Sequence, residues 1–400
     1  MAPEPALSQQ PRIMLLLRNT CSFCAAPLPK FGVNCAQCLT RYCDNICKRQ
    51  HWRAGHGKLC EKIFLAGGAE GHHATRRCSI ADAMAVRSCV ADTAGEICYI
   101  CRTDGKKEGL VRGCACRGSL GAAHLSCLTR QAVLANEDDP SHTGAVEDRD
   151  LRMGRWQTCR LCWQSYHSVV ACALGWRCWR TYAMLPRGDT RRFIAMGILG
   201  RALIECKRSK EALSLFQTSL ADCRLYFKSY PPTMLHTRQS IARCYNELGQ
   251  HTKALKVQRN ILEKQLTLEG AFISVAFLSH TLVALGKYAE VRDLAFDMIP
   301  KTPQGSKYAE LDIQLKLSYA NATWKDPELS TEARFNATKF MGLAYNQSRR
   351  VLGPLHPQTR RVRESFKECT LAFPQCTYIP TDRDIIGESP SLLDDIKNLS

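Results

Sequence analysis

Cysteine spacing limits what this chain can fold into more than any other feature. Between residues 21 and 60 lie two Cys-x2-Cys pairs, Cys21/Cys24 and Cys35/Cys38. A Cys-x3-Cys pair, Cys43/Cys47, and a His-x3-Cys pair, His56/Cys60, follow. A second series runs Cys98/Cys101, Cys114/Cys116, His124/Cys127 and Cys159/Cys162. A gap of two lets one tight turn present both donors to a tetrahedral ion, and a gap of three lets one helical turn do so. Eight donors in each series fit two zinc ions, four in all. Segments this short bury little core, so metal binding supplies most of their folding energy. His51 also follows Cys47 and competes with His56; the three-residue gap to Cys60 favours His56.

The chain holds 23 cysteines in 400 residues. In a secreted protein so many would form disulfides, but the only apolar run near the start, Ile13 to Leu17, is shorter than a signal-peptide core. No apolar stretch is long enough to span a membrane, and the nearest candidate, Val169 to Met184, is broken by Arg177 and Arg180. The expectation is a soluble protein of the cytoplasm or nucleus, where clustered cysteines read as metal ligands. Cys78, Cys89, Cys172, Cys178, Cys206, Cys223, Cys244, Cys369 and Cys376 lack ligand spacing and are expected to be buried thiols. The net charge of +18 is spread along the chain rather than concentrated in a stripe. Nucleic acid is therefore a less favoured partner than protein.

The first series, with Tyr42 before Cys43 and Trp52 ahead of His56, resembles a MYND finger. The resemblance implies interleaved sites, Cys21/Cys24/Cys43/Cys47 and Cys35/Cys38/His56/Cys60, on a module that binds proteins or short proline-containing peptides. The second series resembles the RING-CH (RING-variant) domain of MARCH-type ubiquitin ligases, on the strength of the Cys-x-Cys pair, the seven-residue gap to His124 and the string Cys114-Ala115-Cys116-Arg117-Gly118-Ser119-Leu120. Here the implied cross-brace is Cys98/Cys101/His124/Cys127 and Cys114/Cys116/Cys159/Cys162. Such domains dock a ubiquitin-conjugating enzyme and act by positioning, with no covalent intermediate. By resemblance the docking surface includes Ile100 and Leu161, with Trp156 adding apolar area. One residue departs from the pattern: active RINGs often carry a cation just after the last ligand, and this chain has Trp163.

From Tyr166 onward helical periodicity replaces metal spacing, as at Ala212, Leu215, Phe216, Leu220 and Cys223. The strings Cys206-Lys207-Arg208, Leu248-Gly249-Gln250 and Leu285-Gly286-Lys287 align, at steps suited to stacked helical pairs. The strings Asn246-Glu247-Leu248-Gly249 and Leu352-Gly353-Pro354-Leu355-His356-Pro357-Gln358-Thr359 resemble tetratricopeptide repeats of the kinesin-light-chain type. Pairs are expected near 190–227, 235–268, 272–299 and 308–352, with a capping helix over 359–371. The alternative is an irregular helical bundle. Arg243, Asn246 and Lys253 are candidate groove residues.

The fold expected is thus small zinc-stapled α+β modules followed by an all-α, tetratricopeptide-like helical solenoid. Its divisions are an N-terminal segment (1–20), a MYND-type finger (21–60), a linker with a short helix over Ile80–Val90 (61–97), a RING-CH-type finger (98–165), helical repeats (166–376) and a mobile tail (377–400) with a short helix over Ser391–Leu399. Gly67-Gly68 and Gly71-His72-His73 read as loop. A helix is expected from Leu128 to Ala135, and an exposed acidic loop after it. Two functions are compatible with these features: a ubiquitin ligase that recruits protein substrates through its finger and repeats, or a zinc-stabilised scaffold with no transferase activity.

Overall fold

The computed structural model describes residues 21–137 and 152–373, apart from 25, 27, 30, 31, 228–230, 265–266, 303–307 and 355. The N-terminal apolar run, the acidic stretch after Glu137, Cys376 and the tail helix expected at Ser391–Leu399 lie outside the described residues.

The first module is small. Strands β1 (Val33–Asn34) and β2 (Arg41–Tyr42) pair antiparallel and lead into α1 (Asn45–His51), whose N-cap Asp44 accepts from the Cys47 amide at 2.7 Å. A wide π turn, Trp52–His56, carries Gly55 at φ 115, a conformation that favours glycine, and passes into α2 (Gly57–Leu65). Helix α3 follows at once, from Ala69 to Cys89.

That last helix corrects the sequence reading. Residues Gly71, His72 and His73 form its first turns, not a loop, and the expected Ile80–Val90 helix is only its end. The helix pays for its glycine with burial: Gly71, His73, Ala74, Cys78, Ala81, Ala85 and Cys89 make one inward stripe. His73 lies edge-on to Trp176 at 5.9 Å, and burial holds its pKa down to about 4.

The second module adds α4 (Leu125–Glu137), longer at both ends than the sequence suggested. Beyond it come α5 (Ser168–Tyr182), α6 (Thr190–Glu205), α7 (Ser209–Tyr226), α8 (Pro231–Glu247), α9 (His251–Leu262), α10 (Leu268–Ala284), α11 (Tyr288–Met298), α12 (Ala309–Trp324), α13 (Thr331–Val351) and α14 (Pro357–Ala372). Each of these packs on the next in sequence, and alternate ones from α6 to α14 also touch. No helix among the described residues is long and apolar enough to cross a membrane.

The aligned strings share one turn geometry. Lys207, Gly249 and Gly286 sit at φ 58, 71 and 70. In each case the next amide closes the turn onto a helix carbonyl: Arg208 onto Leu203 at 2.8 Å, Gln250 onto Tyr245 at 2.8 Å and Lys287 onto Leu282 at 3.0 Å. This left-handed C-terminal cap suits glycine, and Lys207 adopts it at a cost.

Three apolar clusters matter for the sites. One runs unbroken from Ala74 in α3, through Cys98, Leu110, Leu125 and Trp156, into helices α5 to α8 as far as Cys244. A second joins α10 to α14, and the third holds only Cys21, Cys35, Cys38, Tyr42, Cys47, Cys60 and Ile63. The far end of the helical region also returns to the second module. The Gln164 side-chain amide donates to the Val351 carbonyl, and His167 meets His356 edge-on with ring centroids 5.1 Å apart.

Candidate metal centres

Three of the Cys-x2-Cys pairs are built alike. The amide of the first cysteine closes onto the carbonyl five residues on: Cys35 onto Thr40 at 2.8 Å, Cys98 onto Thr103 at 2.9 Å and Cys159 onto Gln164 at 2.9 Å. The amide just after the second cysteine closes back onto the first cysteine's carbonyl, from Leu39 at 3.0 Å, Arg102 at 2.8 Å and Trp163 at 3.0 Å. Those three residues have φ of 57, 61 and 59, so the turn forces a left-handed residue after the second cysteine. For a bulky side chain that costs about 1–2 kcal/mol.

These turns and their partners gather the side chains into four groups: Cys21/Cys24/Cys43/Cys47, Cys35/Cys38/His56/Cys60, Cys98/Cys101/His124/Cys127 and Cys114/Cys116/Cys159/Cys162. In each, the four donor atoms lie within 4.8 Å of one another. His51 joins none of them; its Nδ1 is 3.0 Å from the Tyr42 hydroxyl. Zinc–sulfur bonds of about 2.3 Å in a tetrahedron put sulfurs about 3.8 Å apart. The measured separations are 3.6 Å for Cys24/Cys43, 3.3 Å for Cys43/Cys47, 3.6 Å for Cys35/Cys60 and 3.8 Å for Cys116/Cys159. The four groups therefore fit zinc, and each could hold one ion.

The two histidines use different nitrogens. His124 turns Nδ1 to the sulfurs, 3.4 Å from Cys101 and 3.8 Å from Cys127, while Nε2 donates to the Asp104 carbonyl at 2.9 Å. That outer bond fixes the tautomer and leaves the inner nitrogen its lone pair. His56 instead brings Nε2 to 3.4 Å from Cys38, and its Nδ1 is buried without a partner. Hydroxyls support the second cysteine of two turns, Thr40 at 3.0 Å from Cys38 and Thr103 at 3.1 Å from Cys101.

Close thiols cannot all ionise without a cation, and the acidities record this. Hydrogen bonding to Cys159 and Cys162 pushes the Cys114 thiol far up, while the bond to Cys114 pulls Cys162 far down. Burial would raise Cys35, yet hydrogen bonds from the Cys38 amide and His56 bring it to about 6; Cys60, buried beside it, is pushed up to about 12. A dication at each centre would let every donor ionise together.

The remaining candidates separate. Leu161 is 43% exposed, and Ile100 is half-buried against the main core. Trp156 is a correction: at 1% exposure, edge-on to Tyr182 at 6.2 Å, its ring belongs to the core and offers no docking area. Ile97, Leu120 and Trp163 are further exposed apolar side chains of the second module, at 40%, 58% and 57% exposure. The Arg155 guanidinium lies over the Trp163 ring at 4.8 Å. Asn246 is held within the helical region, donating to Thr281 at 2.7 Å, and Lys253 approaches the Tyr245 ring.

Sequence reasoning missed the buried ions that fasten the second module. Arg112 donates to the Asp92 carbonyl and carboxylate, to Glu96 and to the Gly118 carbonyl, tying the end of α3 to the loop after Cys116. Arg177 joins Asp82 and Glu108. Nothing in the local sequence distinguishes these arginines from solvated ones.

A family model for the RING-variant domain matches residues 98–137. The match ends before Cys159 and Cys162, which the fold returns to Cys114 and Cys116. No curated protein and no solved structure matches the chain. What the comparisons give is a RING-variant domain over residues 98–137, set between a second pair of Cys/His centres and a mostly helical region.

Proposed function

We propose that this protein is a RING-type ubiquitin-protein ligase. Its RING-variant module docks a ubiquitin-conjugating enzyme through Ile100, Leu161 and the exposed Ile97, Leu120 and Trp163. The observation that carries this reading is the pair of interleaved centres within and just beyond a matched RING-variant domain whose module also exposes apolar side chains. Bound zinc supplies no open coordination position and no chemistry of its own; it holds the loops that form the face. Catalysis is then orientation of the bound thioester against an acceptor amine.

On this proposal the sixteen gathered side chains are the zinc ligands. The module at 21–60 acts as a MYND-type finger, and the helices act as tetratricopeptide-like repeats that recruit protein substrates. The shared turn geometry at Lys207, Gly249 and Gly286 favours the repeat reading, as do the contacts between alternate helices. The finger reading is favoured by the wide turn that delivers His56 to Cys38.

A scaffold without transferase activity is the second reading. Trp163 favours it, because that position carries no cation of its own; the Arg155 guanidinium lies over its ring. The deciding experiment is autoubiquitination by purified zinc-loaded protein with a panel of conjugating enzymes. Conjugates that vanish in Ile100→Ala, with zinc content kept, support the ligase. A folded protein with about four zinc ions and no conjugates with any enzyme leaves the scaffold.

A further inference from the structure

A cavity of about 110 Å³ lies where the RING-variant module meets the helices. Trp156 and His167 form its floor; Arg201 from α6, Arg243 from α8, Glu310 from α12 and His356 ahead of α14 form its walls. Arg243 and Glu205 pair at its edge and keep 31% and 25% of their side chains exposed, so the cavity opens to solvent on that side. The floor closes the other side.

Its polar groups are incompletely used. Trp156, 1% exposed, carries an indole nitrogen with no partner, and Nδ1 of His167 is likewise buried and unpartnered. Such groups are costly to bury and ask for an occupant. Arg201 donates through Nε to Gln157 at 2.7 Å, which sets its guanidinium along the wall beside the floor. Glu205 is neutralised by Arg243, and Glu310 has no ion pair or hydrogen bond among the described residues. Beyond the walls, Arg117 and Arg360 bear on His167, and Arg361 bears on Glu310, so the surroundings are cationic.

The space has room for a carboxylate on a small residue. The lining offers donors: the Trp156 indole N–H and the Arg201 and Arg243 guanidiniums. Glu310 lines the same cavity and makes no hydrogen bond among the described residues. A bare anion would leave Glu310 unsatisfied. A chain end offers both a carboxylate for the donors and backbone N–H groups for Glu310.

We propose that this cavity binds the free C-terminal carboxylate of a peptide whose last residue is small, with Arg201 and Arg243 holding the carboxylate. This deepens the recruitment role proposed above and rests on it for biological meaning, though not for its test. The full-length, zinc-loaded chain is incubated with a synthetic decapeptide library, half free acids and half amides, and retained peptides are identified by mass spectrometry. A second arm repeats the selection with 10-mM-scale glycine or acetate as competitor (roughly ten-thousandfold over a typical micromolar peptide affinity).

The expected result is at least tenfold enrichment of free acids ending in glycine or alanine. The enrichment is lost in Arg201→Gln and Arg243→Gln variants whose zinc content and unfolding midpoint match the parent. Equal recovery of acids and amides, preference for amides, selection by the N-terminus, or no retained peptide would each overturn the proposal. Complete displacement by free small acid would overturn the chain-end assignment in favour of a small-molecule carboxylate. Autoubiquitination is measured without peptide, so its absence alongside acid-selective binding would sink the ligase reading and leave this site standing.

Discussion

The two Cys/His modules use the same turns and the same donor set but are stabilised differently. The module at 21–60 closes around a cluster made almost wholly of its own ligands, Tyr42 and Ile63. The RING-variant module shares one continuous core with α3 and with α5 to α8, and Trp156, Leu110 and Leu125 are members of that core. The first is a metal staple with little packing behind it; the second is a staple set into a wall. Loss of metal should therefore stay local in the first and spread in the second.

The largest test of this contrast is Cys159→Ser against Cys35→Ser. Cys159→Ser should lower the unfolding midpoint of the whole chain and speed hydrogen exchange in α5 and α6. Cys35→Ser should release one zinc and loosen only residues 21–65. Equal damage from both would break the comparison. Next in size is Trp156→Ala, expected to cost about 3–5 kcal/mol as a buried aromatic, read as a shift in urea midpoint. A cost below about 1 kcal/mol would mean that the ring is surface after all. Cutting the buried Arg192–Glu70 pair, whose side chains are 5% and 10% exposed, with Arg192→Ala should cost about 3–5 kcal/mol.

The pH response is smaller and has a definite sign. Burial holds His73 and His356 to about 4, below the unfolded value of about 6.5. The folded state therefore binds fewer protons between those values. Stability from these groups is complete above pH 6.5 and is lost as pH falls toward 4. With zinc in excess, the drop in urea midpoint between pH 7.5 and pH 5.5 should shrink in His73→Leu; an unchanged drop would assign the acid sensitivity to groups other than His73.

The smallest expected effect is a gain. Lys207→Gly relieves a left-handed cap and should raise stability by about 1 kcal/mol. Trp163→Gly should do likewise at its turn while reducing conjugation.

What the sequence made legible follows from range. Ligand spacing is local chemistry, so the donor pairs could be read directly; their grouping into four sets, including the return of Cys159 and Cys162, came from the resemblance to the MYND and RING-CH families. The helical character of the C-terminal half was legible because glycine at 249 and 286 and the apolar stripes are local too. Trp156 was misread because a tryptophan three residues before a cysteine looks the same whether it faces solvent or Tyr182. The first turns of α3 were misread because glycine and paired histidines look like loop until burial against Trp176 is known. Arg112, Arg177 and the cavity floor depend on contacts between distant segments, which carry no local signature.

The central claim is that the face around Leu161 delivers ubiquitin. Its most direct test is single-turnover discharge of a preformed conjugating-enzyme–ubiquitin thioester onto free lysine, which needs no protein substrate. The account predicts faster discharge with zinc-loaded protein than with buffer, and a return to the buffer rate with Leu161→Ala at unchanged zinc content. No acceleration across a panel of conjugating enzymes, from a folded and fully metallated chain, would contradict it.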